Sequence, residues 1–255
     1  MEAPADYTIL QVLAKCEHTP HTLTLSLNKS MNLNRDIWQD LLEKSNRGDS
    51  EAQNDLAMWF EEGFHSPEFH IEQDFQQAAK WYLESAKSGN KYSQDAISRL
   101  YSLGQGIDLN IDKAIKWAIK AIDQGNATAA YNLGTIYRDL LEFKKAFEYY
   151  TLALKMDDKS SLLQIGLCHY FGIGTMVDFE KANQLFEQIT TEHEVTEYEI
   201  DEANYMIGFS YLHGNGRQKS IKDARKHFLL AHKDEGHEQS ILILNLISRN
   251  NDNTS

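Results

Sequence analysis

An all-α solenoid of stacked helix pairs is predicted by three observations on this chain of 255 residues. First, one pattern recurs. It reads Ala203-x-x-x-Ile207-Gly208-x-x-Tyr211-x-x-Gly214-x-Gly216, then Asp223-Ala224 and His227-Phe228, and four variants of it lie upstream. Second, apolar residues within a copy return every four positions, as Ala129, Leu133 and Tyr137 do, which lays them on one helical stripe. Third, Gly104-x-Gly106, Gly172-x-Gly174 and Gly214-x-Gly216 end the first stripe of their copies and admit positive φ before the second. A unit this short cannot bury its own apolar face, so each copy must stack on its neighbours.

Residues 1–35 do not match the repeat and form a separate extension. Residues 7–17 fit a helix, and 21–27 alternate as a strand does. That strand has no visible partner. It is an extended segment on the first repeat, a mobile arm, or an edge that pairs with another chain. Residues 36–46 carry Ile37, Leu41 and Leu42 at helical spacing, end at Gly48, and read as the closing helix of a half-unit.

The first copy runs from Ala52 through Leu56-Ala57, Phe60, Gly63, Ala78-Ala79 and Trp81-Tyr82 to Gly89-Asn90. His65 stands in it where a second loop glycine would be, and a longer loop, Ser66-Pro67-Glu68-Phe69-His70, follows. The second copy has Ser93, Ile97-Ser98, Tyr101, the Gly104 loop, Ala114, Trp117-Ala118 and Gly125-Asn126. The third has Ala146, Tyr149-Tyr150 and Ala153 as its second stripe but no glycine loop, since Leu140-Leu141-Glu142-Phe143 bridges its helices. The fourth has Ile165-Gly166, Tyr170, Lys181-Ala182 and Leu185-Phe186, then an acidic insertion over 190–201 that maps to a loop. Residues 239–249, with Ile241, Leu242, Leu244 and Ile247, are expected to cap the last apolar face, leaving 250–255 as a disordered tail. The solenoid therefore spans 36–249.

Local chemistry supports these boundaries. Gly134, Gly166 and Gly208 sit inside first helices, where Gly costs about 1 kcal/mol relative to Ala. That cost is tolerated where helices approach closely. Asp112 and Asp178 precede second helices and are placed to cap them. Gly89-Asn90 and Gly125-Asn126 are read as ending second helices. Trp81, Trp117, Tyr82, Tyr150, Phe186 and Phe228 are read as core.

The order A-x-x-x-L-G-x-x-Y-x-x-G-x-G, then D-x-x-K-A, W-Y and A-x-x-G, resembles the Sel-one-like repeat (SLR) family, a branch of the tetratricopeptide-like solenoids. The resemblance covers 52–231. It implies a right-handed superhelix of about five antiparallel helix pairs with capping helices. It also implies that first helices line a concave groove. Carried over by position, the groove residues are Arg99, Tyr131, Arg138, Leu167, Tyr170, Tyr205 and Phe209. Asn54, Met58, Glu61, Glu62, Asp95 and His213 hold equivalent positions. The groove so drawn is acidic and polar toward the N-terminus and aromatic toward the C-terminus, and aromatic anchors with charged rims are what protein interfaces use. The alternative, that Tyr170 and Phe209 pack against adjacent helices or the cap, stays open at this point.

Composition narrows the partner. Lys plus Arg number 25 against 38 Asp plus Glu, a net charge of −13. Such a surface repels nucleic-acid phosphates and anionic membranes; it serves solubility, and as a recognition surface it favours a basic protein or peptide. The two cysteines, Cys16 and Cys168, form no close pair, which fits a reducing compartment. No secretory signal or membrane-length apolar run is read, so a cytoplasmic location is expected. Eukaryotic relatives carry signals and anchors, and secreted bacterial ones carry cysteine pairs in each repeat. The resemblance without these features implies a bacterial cytosolic protein.

No nucleophile motif, metalloprotease motif or phosphate loop occurs, and the G-x-G pairs follow helices rather than strands. Cys16-x-His18-x-x-His21 lacks a second metal half-site, and the other histidines are read as surface, loop or packing residues. No enzyme activity, cofactor or metal is expected. The expected role is an adaptor or scaffold that holds a protein or peptide in the groove. The alternative is an immunity protein that neutralises a bacterial toxin, since proteins resembling this family occur beside secreted antibacterial effectors.

Overall fold

The computed structural model describes residues 34–231 and 238–252. The expected helix at 7–17 and strand at 21–27 lie outside them. The chain divides into two compact units, 1–140 and 141–255. In the first, α1 (Arg35–Asn46), α2 (Ser50–Glu62), a hairpin of β1 (Phe64–His65) and β2 (His70–Ile71), α3 (Phe75–Lys87), α4 (Lys91–Leu103), α5 (Ile111–Asp123) and α6 (Ala127–Asp139) follow in order. In the second come α7 (Phe143–Lys155), α8 (Ser161–Phe171), α9 (Phe179–Ile189), α10 (Glu197–His213), α11 (Ile221–Leu230) and α12 (Glu238–Asp252).

Within each unit every helix packs on the next. Alternate helices also touch, α4 with α6 and α8 with α10. The all-α expectation of stacked helix pairs therefore holds. The stripes read from the sequence are the core: Ala129, Leu133 and Tyr137 of α6 and Ala146, Tyr150 and Ala153 of α7 are all buried. Tyr82, Phe186 and Phe228 are buried too. Trp81 and Trp117 are only half-buried, with Lys80 and Lys120 Nζ 4.9 and 4.1 Å from their ring centroids.

Side-chain caps set the helix starts, with two shifts from expectation. Asp178 caps α9, accepting from Lys181 N at 2.9 Å. Asp112 does not cap α5. Asn110 does, accepting from Lys113 N at 3.0 Å, while Asp112 lies in the first turn, where its charge suits the helix dipole. Asn90 and Asn126 open helices rather than close them: Asn90 accepts from Tyr92 N and Ser93 N, and Asn126 from Ala129 N. Only Gly89 and Gly125, both at positive φ, belong to the preceding turn.

The acidic insertion is partly helical. Thr196 and Glu199 form a capping box that starts α10 at Glu197, so α10 reaches 17 residues and only the stretch before it is loop. The long loop of the first copy is a hairpin, with Ser66 N donating to Phe69 O at 2.9 Å across its tip.

The glycine loops do more than end helices. Gly172, at φ +70°, terminates α8 in the left-handed region as expected. Gly174, also at φ +70°, lies against the first residue of α7, and a Cβ there would overlap the carbonyl oxygen of Phe143. Gly106 meets Phe75 of α3 and Gly216 meets Phe179 of α9 in the same way. The second glycine of each loop thus seats its copy on the second helix of the copy before.

α12 covers α11 through buried Ser240 and Ile247, and it continues to Asp252. Its other face carries exposed Ile241, Leu242 and Leu246. No described helix is long and apolar enough to cross a membrane.

Candidate protein-binding surface

The proposed groove positions lie on α2, α4 and α6 of the first unit and on α8 and α10 of the second. In the first unit their polar groups tie one first helix to the next. The Arg99 guanidinium of α4 pairs with Glu61 of α2. The other oxygen of Glu61 accepts from Tyr82 Oη of α3 at 2.9 Å. Burial, and then the Glu61 charge, push the Tyr82 phenol well above its usual range. Burial works against the Arg99 charge, but Glu61 outweighs it, so the guanidinium is held more firmly charged than in water. Asn132 of α6 donates to Asp95 of α4 at 3.0 Å. Arg138 is buried, and its Nε and Nη2 donate to Asp139 Oδ1 at 3.0 and 2.9 Å. Tyr131 stays half-buried.

In the second unit Leu167 and Tyr170 of α8 are buried. Tyr170 Oη accepts from Asn215 Nδ2 at 2.8 Å, and its ring meets Phe171 and Phe179 at 5.0 Å each. Tyr205 is buried against Phe228, with centroids 5.7 Å apart. Phe209, one turn on, is half-buried. Its ring lies 5.8 Å from Tyr205 and 4.6 Å from His213, which is exposed. Residues 205, 209 and 213 thus form a continuous aromatic stripe on α10, as i, i+4 spacing requires. Burial and then the charge of Lys219 lower the His213 pKa, which favours the neutral ring in the stripe.

The structure therefore sorts the seven residues. Arg138, Leu167, Tyr170 and Tyr205 are buried, while Arg99, Tyr131 and Phe209 keep surface. Tyr205 and Phe209 are brought together, and His213 joins them. Arg217 was not anticipated. It follows the Gly214 loop, pairs with Glu187 of α9 at 3.1 Å and lies 4.5 Å over the Tyr211 ring. No local sequence signal marks the ion pair, because Glu187 lies on α9, in the copy before. Among the described residues, no group of three or more His, Cys, Asp or Glu side chains is placed to hold a metal ion.

Helix pairs, glycine-seated loops and a first-helix aromatic stripe together define an α-helical repeat protein. Residues 50–90, 92–126, 127–158, 159–189 and 201–231 match the Sel1 repeat model, and the chain belongs to the Sel1-repeat family. It is 30% identical over 133 residues to the ERAD-associated E3 ubiquitin-protein ligase component HRD3 of Candida glabrata, covering 49% of this chain and 16% of that one. It is 34% identical over 67 residues to a sel1-like repeat-containing protein, L21, of Acanthamoeba polyphaga mimivirus, covering 26% and 13%. The chain thus spans less than a fifth of the length of these curated relatives.

Among solved structures, it is similar to c5321, described as a protective antigen present in uropathogenic Escherichia coli strains displaying an SLR fold. The TM-score is 0.72 at 26% identity, over 90% of this chain and 48% of that one. The Sel1 repeat protein from Oxalobacter formigenes shares the fold with a TM-score of 0.66 at 22% identity, over 86% and 85%.

Proposed function

We propose that this chain is a non-catalytic, cytoplasmic protein-binding module. It takes a protein or peptide along the first-helix faces of its repeats. Sel1-repeat proteins are generally protein-interaction modules, and the HRD3 relative is by name an E3 ubiquitin-protein ligase component. The observation that carries the reading is the α10 stripe, in which Phe209 keeps a solvent face between Tyr205 and His213. Partly exposed, rigid aromatic rings supply anchor area at low entropic cost. Arg99 and Tyr131 give the first unit polar and aromatic contacts, and the net charge of −13 favours a partner with basic segments.

The test is partner affinity for the double variant Phe209→Ala, His213→Ala. Loss of a central anchor is expected to weaken binding by roughly tenfold or more. Unchanged affinity would remove the stripe from the interface. The charge also favours a second reading, in which the module blocks a basic toxin. An immunity role requires that expressing this chain protect cells from the effector it binds, and unprotected cells would refute it.

A further inference from the structure

The hairpin of the first copy brings two histidines together. β1 and β2 pair antiparallel with His65 directly opposite His70 and Phe64 opposite Ile71. Alternation along each strand sends the two classes to opposite faces. Ile71 is buried, and Phe64 lies half-buried against Trp59, at 5.4 Å between centroids. His65 and His70 are exposed, with rings 6.1 Å apart and within 21° of parallel.

The backbone beneath them is fixed. Ser66 Oγ donates to Phe69 O at 2.8 Å and accepts from Phe69 N at 3.1 Å. Phe69 in turn packs against Trp38 of α1, at 6.0 Å. A Glu72 carboxylate oxygen lies 3.9 Å from His70 Nε2 and adds negative charge beside the pair.

We propose that His65 and His70 form a two-histidine chelate for a divalent transition ion of the Cu²⁺, Ni²⁺ and Zn²⁺ class. Directly opposed strand residues have Cβ atoms about 5 Å apart. That spacing lets two imidazoles converge on one ion at roughly 2.0–2.1 Å per bond. The rings stand near-parallel rather than convergent, so chelation requires a χ rotation of these two exposed side chains. Imidazole nitrogen suits these ions, whereas carboxylate and water sets suit Ca²⁺ and Mn²⁺. Glu72 favours the dication electrostatically, and water fills the remaining positions. The site departs from the expectation of no metal. Histidines five apart share no helix face, and only the hairpin register sets them opposite each other.

Isothermal titration of the full chain with Zn²⁺ and Cu²⁺ tests this. A site with Cu²⁺ bound more tightly than Zn²⁺, and not displaced by Ca²⁺, is expected. His65→Ala or His70→Ala should each weaken it by roughly tenfold or more, with circular dichroism unchanged because both side chains are exposed. The variant Cys16→Ser, His18→Ala should retain it. The proposal is overturned if His65→Ala with His70→Ala leaves the titration intact, if the Cys16 variant abolishes it, or if Ca²⁺ competes.

Discussion

Gly174→Ala should lose about 2–5 kcal/mol of stability, seen as a lower urea midpoint. Two costs add at this position. Its φ of +70° is a left-handed conformation, which costs an L-residue roughly 1–2 kcal/mol. The new Cβ would also overlap the Phe143 carbonyl oxygen at the start of α7, and main chain cannot turn aside as a side chain can. Gly125→Ala is the control. Its φ is +78°, but nothing lies within 4 Å of its Cβ position, so only the conformational cost of roughly 1–2 kcal/mol applies. Equal losses at the two positions would mean that the second loop glycine does not seat one copy on another.

Phe228→Ala should cost about 3–5 kcal/mol, since it empties a fully buried ring site. The ring lies beside Tyr205 and directly over Gly208, whose Cβ position is 2.9 Å from it. The packing between α10 and α11 rests on this large-against-small pair. Gly208→Ala alone should destabilise, because the ring has little room to retreat. In the background of Phe228→Leu the same change should cost less, giving a coupling of roughly 1 kcal/mol or more. Strict additivity would show that the contact is incidental.

The helices were legible because their signals are local. Every-fourth-residue stripes such as Ala129, Leu133 and Tyr137 follow from the helical period, and Asp178 announces α9 by lying just before it. What escaped is relational. That Gly174 rests on Phe143, or Gly216 on Phe179, depends on where two distant segments meet. The Glu61–Arg99–Tyr82 network joins three helices, and none of the three residues declares it singly.

The binding surface was half legible for the same reason. Position within a repeat says which side of a helix a residue takes. It does not say whether a neighbour covers it. Tyr170 is covered through Asn215, 45 residues away, and Tyr205 through Phe228. Phe209, four residues beyond Tyr205 on the same stripe, keeps a solvent face.

Site-specific photo-crosslinking tests the α10 stripe most directly. A photoreactive phenylalanine replaces His213, or, as a control, Arg225 on the exposed side of α11; both positions are solvent-exposed. Capture of the bound partner from position 213 and not from 225, reduced when Phe209→Ala is added, is the expected result. Capture from 225 alone, or equally from both positions, would contradict binding through the first-helix aromatic face.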